Sequence, residues 1–382
     1  MSTIPHVLVL GGGFGGLSVS NELRKNFDPA SLKITIIDKK DWFMVGFSKL
    51  WIINGTRTFE NSTASLKDLS KKNIDFLQAE ILNIDFQQKS VITSNDKISY
   101  DYLVISMGSR LAPERIPGLI DHGYNLYDHD QLLEIRKRLE EIQSGKIAIC
   151  ITSMPYKCPP APYEACLLID SMLRKRGIRD KIEISIYCPA PITMPAAGSE
   201  VSKQILEMVE SESVIFHNSS KLKTVENGKL IFENFESNFD LLLAVPPHIA
   251  PKLIYESELA NDPGFIKIDR DCKTKFENVY AIGDVTVLPV TDSMTVPKAG
   301  VFAEGEGMTV AKNITSKIKQ TNELTLYDGI GGCFIESGRE TASLIEVDMF
   351  SQEKPMTRLT PSTEENLSKK FEFERERLTK WF

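Results

Sequence analysis

Residues 6–16, His-Val-Leu-Val-Leu-Gly-Gly-Gly-Phe-Gly-Gly, leave this chain few folds to choose from. The run His6–Leu10 reads as a buried parallel strand, and the glycines open a helix that runs to about Asn26. Gly11, Gly13 and Gly16 fit the spacing G-x-G-x-x-G, with Phe14 and Gly15 inside it. The first glycine permits a tight turn, the second lets the backbone approach a pyrophosphate, and the third lets helix and strand pack closely. Free N–H groups and the helix dipole favour negative charge there. A second apolar strand, Leu32 to Ile37, ends at Asp38, 38 − 16 = 22 residues beyond Gly16, with Lys39 next to it. That is the spacing of an acid that holds a ribose 2′-OH. A strand–helix turn that is merely tight would show the glycines without the acid.

Two later segments extend the pattern. Residues 103–109 (LVISMGS) read as a strand ending in a turn at Gly108, and residues 276–284 (FENVYAIGD) as a strand closing on Gly283-Asp284. Open α/β sheets bind ligands at the carboxyl ends of their strands. In flavoproteins with two dinucleotide-binding domains, a Gly-Asp at this place contacts FAD, so the two motifs together resemble an FAD site. Taken alone, Asp284 would be a helix N-cap. Lys298, in Pro-Lys-Ala-Gly, sits at the start of the next helix, where the dipole disfavours a cation. A lysine there fits the pyrimidine end of a flavin, where positive charge stabilises the reduced form. A solvated first-turn lysine is the alternative.

The central region holds a second α/β unit, with a strand over 146–152, a helix over 161–175 and a strand over 182–188. The turn between the first strand and the helix would carry glycines if it cradled a second dinucleotide. Instead residues 154–164 read Met-Pro-Tyr-Lys-Cys-Pro-Pro-Ala-Pro-Tyr-Glu. Pro159 and Pro160 restrict the loop and suit a helix start. Cys158 at that helix N-terminus is expected to have a lowered pKa. Glu164, in the first turn, is a candidate proton acceptor or an ordinary exposed glutamate. Cys333 follows Gly-Ile-Gly-Gly, which lets the backbone approach a flat or bulky group. Cys150, Cys166, Cys188 and Cys272 read as small buried hydrophobes.

With 45 Lys plus Arg against 52 Asp plus Glu, the net charge of −7 implies no basic face and excludes nucleic acid as a partner. No segment approaches the roughly 18–20 apolar residues that span a bilayer. The N-terminus lacks a basic region followed by an apolar segment, so the chain is expected to be cytoplasmic. Six cysteines in 382 residues make no disulfide framework, so a disulfide here would be catalytic.

The ordered set of GGGFGG, Asp38, Lys-Cys-Pro-Pro-Ala-Pro-Tyr-Glu, Ala-Ile-Gly-Asp, Pro-Lys-Ala-Gly and Gly-Gly-Cys-Phe resembles the sulfide:quinone oxidoreductases and the flavoprotein subunit of flavocytochrome c sulfide dehydrogenases. The resemblance spans about residues 1–350. It implies an α/β chain with two Rossmann-like domains. A discontinuous FAD domain takes 1–110 and 262–324, a second unit with a degenerate NAD site takes 111–261, and a small α+β region takes 325–382. It further implies a disulfide or sulfur bridge between Cys158 and Cys333 next to the flavin, opened by hydrosulfide through thiol–disulfide exchange. Two electrons then pass to FAD, and sulfur leaves as persulfide, polysulfide or elemental sulfur. Cys333 would face the flavin and Cys158 hold the substrate sulfur, or the reverse.

Three departures matter. Arg110 to Gln131 lacks the third cysteine of many quinone-reducing members. Trp42 to Trp51 lacks the cysteine that carries FAD covalently in flavocytochrome members, so non-covalent FAD is expected. Those members are exported, and no signal peptide is evident. The acceptor implied is a quinone or a cytochrome c, and homo-oligomerisation is allowed. Near the C-terminus, Leu367, Phe371, Leu378, Trp381 and Phe382 are interspersed with Lys369, Lys370, Arg375, Arg377 and Lys380. This helix either docks peripherally on the cytoplasmic face of a membrane or packs on its own fold. The competing functions are a type II NADH dehydrogenase, which would need a second glycine motif after strand 146–152, and a flavin-binding subunit or redox sensor.

Overall fold

The computed structural model describes residues 4–261, 263–292, 294–321, 323–351 and 354–382; the N-terminal Met1–Thr3 and the expected boundary at Asp262 lie outside them. The central strand His6–Leu10 is flanked by Lys33–Asp38 and Tyr102–Ile105 in a five-stranded sheet. Asp75–Gln78 closes one edge and Val279–Ala281 the other, and every pairing is parallel. Parallel strands buried on both faces read as continuous apolar runs, and Val7, Leu8, Val9 and Leu10 are fully buried. The edge strand begins 279 − 105 = 174 residues after its neighbour ends. β-Branched and aromatic content (Val279, Tyr280) and the closing Gly283-Asp284 turn marked it in the sequence.

A second parallel sheet orders Tyr124–Asn125, Leu241–Val245, Gly145–Ile151, Ile182–Tyr187 and Val214–His217. Its crossover helix, Ala161–Lys175, starts where Pro160 and Pro162 suit a first turn and buries eleven of its fifteen residues. The C-terminal region is a three-stranded antiparallel sheet, Ile330–Glu336, Ala342–Asp348 and Met356–Leu359, followed by a helix over Glu364–Lys380. Thr363 caps that helix through its hydroxyl, which accepts from the Asn366 N–H at 3.1 Å. No helix among the described residues is long and apolar enough to cross a membrane.

The terminal helix packs on its own fold. Its inward residues are polar: Asn366, Lys370 and Glu374, four apart. Lys370, one of the basic residues interspersed along this helix, is 0% exposed. Arg377 forms a bidentate pair with Glu304, and Lys369, Arg375 and Lys380 pair with Glu365, Glu372 and Glu376 on the helix itself. Trp381 packs edge-on against Phe14 at 5.6 Å, and Phe371 stacks on Trp51 at 4.9 Å.

Candidate functional site

Four strands of the first sheet deliver the glycine and acid motifs to one edge. Gly11–Gly16, Asp38, Gly108 and Gly283-Asp284 all follow the carboxyl ends of neighbouring parallel strands. Gly11 has φ +110°, and a Cβ there would sit 2.2 Å from the Ser106 carbonyl oxygen. A Cβ on Gly16 would sit 1.9 Å from the Gly11 carbonyl oxygen, so helix and strand touch only because it is glycine. Gly13 is different: among the described residues, no atom lies within 4 Å of where its Cβ would be. The helix Phe14–Asn26 has no side-chain cap and no acid in its first turn. Its first N–H groups therefore have no side-chain cap, and the space beside Gly13 is open, which suits a bound pyrophosphate.

Asp38 accepts from the Gly12 N–H at 2.7 Å and from the Lys40 N–H at 2.9 Å, which fixes the carboxylate under the glycine turn. Lys39 points to solvent, whereas Lys40 is half-buried with its ammonium 4.6 Å from the Trp42 ring. Phe14 packs edge-on against Phe43, with the Gly300 backbone against its ring. Gly15 lies over Ser106, and Gly108 takes φ +67° with open space at its Cβ position.

The Gly283 N–H donates to Glu306 at 2.5 Å. Lys298 precedes the helix Gly300–Lys319 rather than starting it. Its ammonium donates to the Asp284 and Thr286 carbonyls at 2.6 and 2.9 Å, which relieves the dipole conflict expected of a first-turn lysine. Burial pulls Lys298 down to about 8, against the opposing pull of Asp284 and Glu306. Burial likewise pushes Glu306 up to about 7. A carboxyl with a raised folded pKa stabilises fully below its unfolded value of about 4.5 and loses that contribution as pH rises through 7. Glu306→Gln, which keeps the acceptor for Gly283, is expected to add on the order of 2 kcal/mol at pH 8 and nothing at pH 4. Thermal unfolding at the two pH values checks this.

Cys158 occupies the left-handed region, φ +51°, unusual for a residue with a side chain. Three bonds hold it. Its N–H donates to the Lys298 carbonyl at 2.7 Å, and its carbonyl accepts from the Ala161 N–H at 3.0 Å and the Tyr127 hydroxyl at 3.3 Å. The loop is thus tied directly to the Lys298 segment. Its pKa departs from expectation. Burial, and next Glu164, push the Cys158 thiol up to about 12. The helix N-terminus does not offset the loss of water. Burial raises Cys333 still further, with Cys158 and Glu164 the next causes, so the two thiols and this carboxyl feel one another's charge. Both cysteines are free thiols. Cys150, Cys166, Cys188 and Cys272 are buried, as read from the sequence.

Glu164 is 2% exposed rather than a surface glutamate. Burial raises it to about 6, with Lys370 opposing. Lys370 bonds Glu164 on one side and Glu336 on the other, the latter at 3.0 Å, and Glu336 also accepts from the Trp51 indole N–H at 2.8 Å. Lys49 is a half-buried lysine, donating to the Tyr127 carbonyl at 2.6 Å and lowered to about 7 by loss of water and then by Lys157 and Lys40. Sequence reading passed over Lys49, Glu306, Glu336 and Lys370 as site residues. The only signal for Lys370 was its four-residue spacing from Asn366 and Glu374.

These turns and their open cradle define an FAD-binding flavoprotein. Residues 5–151 match the pyridine nucleotide-disulphide oxidoreductase family model, and residues 132–233 match the model of the central region of the sulfide dehydrogenase (flavocytochrome c) flavoprotein chain. A sulfide-quinone reductase of Aquifex aeolicus is 30% identical over 335 residues, covering 82% of this chain and 77% of that protein. The chain belongs to the sulfide:quinone oxidoreductase family. The crystal structure of the sulfide:quinone oxidoreductase from Aquifex aeolicus superposes with TM-score 0.89 at 26% identity, covering 99% of this chain and 91% of that one. A type II NADH:quinone oxidoreductase of Staphylococcus aureus is 23% identical, covering 81% of each chain.

Proposed function

We propose that the chain is an FAD-dependent sulfide:quinone oxidoreductase that takes electrons from sulfide or polysulfide through Cys158 and Cys333. The observation that carries this reading is two half-buried free thiols within each other's electrostatic reach, Cys158 on a loop bonded to the Lys298 segment next to Gly283-Asp284 and Cys333 on the strand Ile330–Glu336. The division into 1–110 with 262–324, 111–261 and 325–382 belongs to the same reading.

Gly11, Gly13, Phe14, Gly15, Gly16, Asp38, Lys39, Gly108, Gly283, Asp284 and Lys298 would line FAD. Pyrophosphate would lie on the N–H groups after Gly13, and a ribose hydroxyl on Asp38. Bound FAD supplies a two-electron acceptor. In the oxidised pair, hydrosulfide attacks the Cys158 sulfur. The Cys158–Cys333 bond breaks, a persulfide forms on Cys158, and Cys333 leaves as thiolate. Removal of two electrons, which bound FAD would accept, joins the Cys333 sulfur to the outer persulfide sulfur and leaves a trisulfide bridge. The persulfide proton passes to Glu164. Burial disfavours thiolate at both cysteines, so the reduced pair is a poor nucleophile and the reaction would start from the oxidised one. Quinone is the acceptor, reached by peripheral contact with a membrane.

Anaerobic sulfide is expected to bleach the bound flavin, and NADH is not. Rapid bleaching by NADH with none by sulfide would move the assignment to the type II dehydrogenases. Trp42–Trp51 holds no cysteine, so denaturation by acid is expected to release all the FAD into the supernatant. Yellow colour left in the precipitated protein would refute non-covalent binding.

A further inference from the structure

Lys370 has no part in the steps above, yet no other lysine in the terminal helix is so deeply buried. It crosses from that helix into the space between the Cys158-loop helix and the strand that carries Cys333. Its ammonium bonds the Glu164 carboxylate from the first and the Glu336 carboxylate from the second. The Trp51 indole N–H completes Glu336, and the rings of Phe47 and Trp51 lie 4.9 and 4.8 Å from the ammonium. An isolated buried charge is expensive, and a lysine with two carboxylates is retained only where the set is fully bonded. One cation against two carboxylates leaves an unbalanced negative charge beside two thiols. Such a group can take up one proton without importing a counter-ion.

We propose that Lys370 is a positioning residue for the sulfide reaction: clamped between Glu164 and Glu336, it holds Glu164 as the proton acceptor beside Cys158 and Cys333, and so makes the terminal helix part of the reaction centre. This rests on the sulfide reading. The proton leaves the Cys158 persulfide as the second sulfur–sulfur bond forms, and ends on a Glu164 oxygen. Groups whose charge reaches Glu164 or the thiols include Lys370, Glu336, Lys49, Tyr127, Tyr156 and Asp284. Of these Lys370 is the cation bonded to Glu164, so its removal disfavours the carboxylate.

The test is the pH profile of sulfide-driven flavin reduction in FAD-loaded protein. Ionisation of sulfide itself is common to all variants and cancels in their ratio. Lys370→Met is expected to move the acid limb, near pH 6 in the unaltered chain, upward by a unit or more. Its rate deficit should then grow about tenfold between pH 8 and pH 6. Lys370→Arg should restore most of the limb. A deficit independent of pH, or shared by Lys370→Arg, would mean a structural role only and overturn the proposal. Should Lys370→Met fail to fold, Glu164→Gln/Lys370→Met removes one charge of each sign and is expected to lose the limb altogether; a limb kept at its original pH overturns the proposal. Infrared titration of the protonated carboxyl band that Glu164→Gln abolishes needs no sulfide. In Lys370→Met that band should persist to higher pH, and an unmoved band counts against Lys370. A flavin that sulfide fails to bleach in the unaltered chain would sink the sulfide reading alone, while the infrared titration would still decide the clamp.

Discussion

Replacing Cys333 with serine is expected to leave a folded, FAD-loaded protein that sulfide no longer reduces at a useful rate. Serine keeps the volume of the site closely, and Cys333 lies half-buried on a strand paired along its length with Ala342–Asp348. Only the sulfur chemistry is removed. A hydroxyl cannot form the bond that hydrosulfide opens, nor leave as a stable anion from a site where burial already disfavours thiolate. Loss of a covalent partner of this kind costs at least about 10³-fold. Cys158→Ser should match it, and the double variant should be no worse than either, because the two act as a unit. Stopped-flow flavin bleaching measures all three. Bleaching within tenfold of the unaltered rate in Cys333→Ser would remove the pair from the mechanism.

The second large effect separates two glycines three residues apart. Gly16→Ala places a methyl 1.9 Å from the Gly11 carbonyl oxygen, a backbone atom that cannot rotate away. Helix and strand must part, at a cost on the order of 3 kcal/mol. Both stability and FAD binding should fall. Gly13→Ala meets no protein atom and keeps an ordinary extended φ of −87°. The apoprotein should melt where the unaltered one does, while FAD affinity falls tenfold or more, about 1.4 kcal/mol, because the methyl takes the space of the pyrophosphate. Melting curves with and without FAD decide this. Equal losses in the two variants would show that the space beside Gly13 is not where FAD lies.

Local patterns were legible wherever one backbone requirement dictates a residue type. The Gly11–Gly16 turn, Asp38 at a strand end and the helix from Ala161 followed from spacing alone. The pKa of Cys158 did not. Placement at a helix N-terminus is a sequence-local fact, but the desolvation that outweighs it comes from segments distant along the chain, including the Lys298 backbone and Tyr127. The terminal helix stayed open between membrane docking and packing on its own fold for a related reason. The partners that bury Lys370 are Glu164 and Glu336, 206 and 34 residues away.

The sequence by itself determined the two parallel α/β units, the dinucleotide turn and the substitution of a cysteine–proline loop for a second such turn. Those follow from short-range sterics and hydrophobic period, which each segment carries within itself. The tertiary structure decided that the half-buried Cys158 and Cys333 and the buried Glu164 and Lys370 share one neighbourhood. Burial and charge pairing are properties of the assembled core: each raises or lowers a proton affinity only once distant elements have excluded water together.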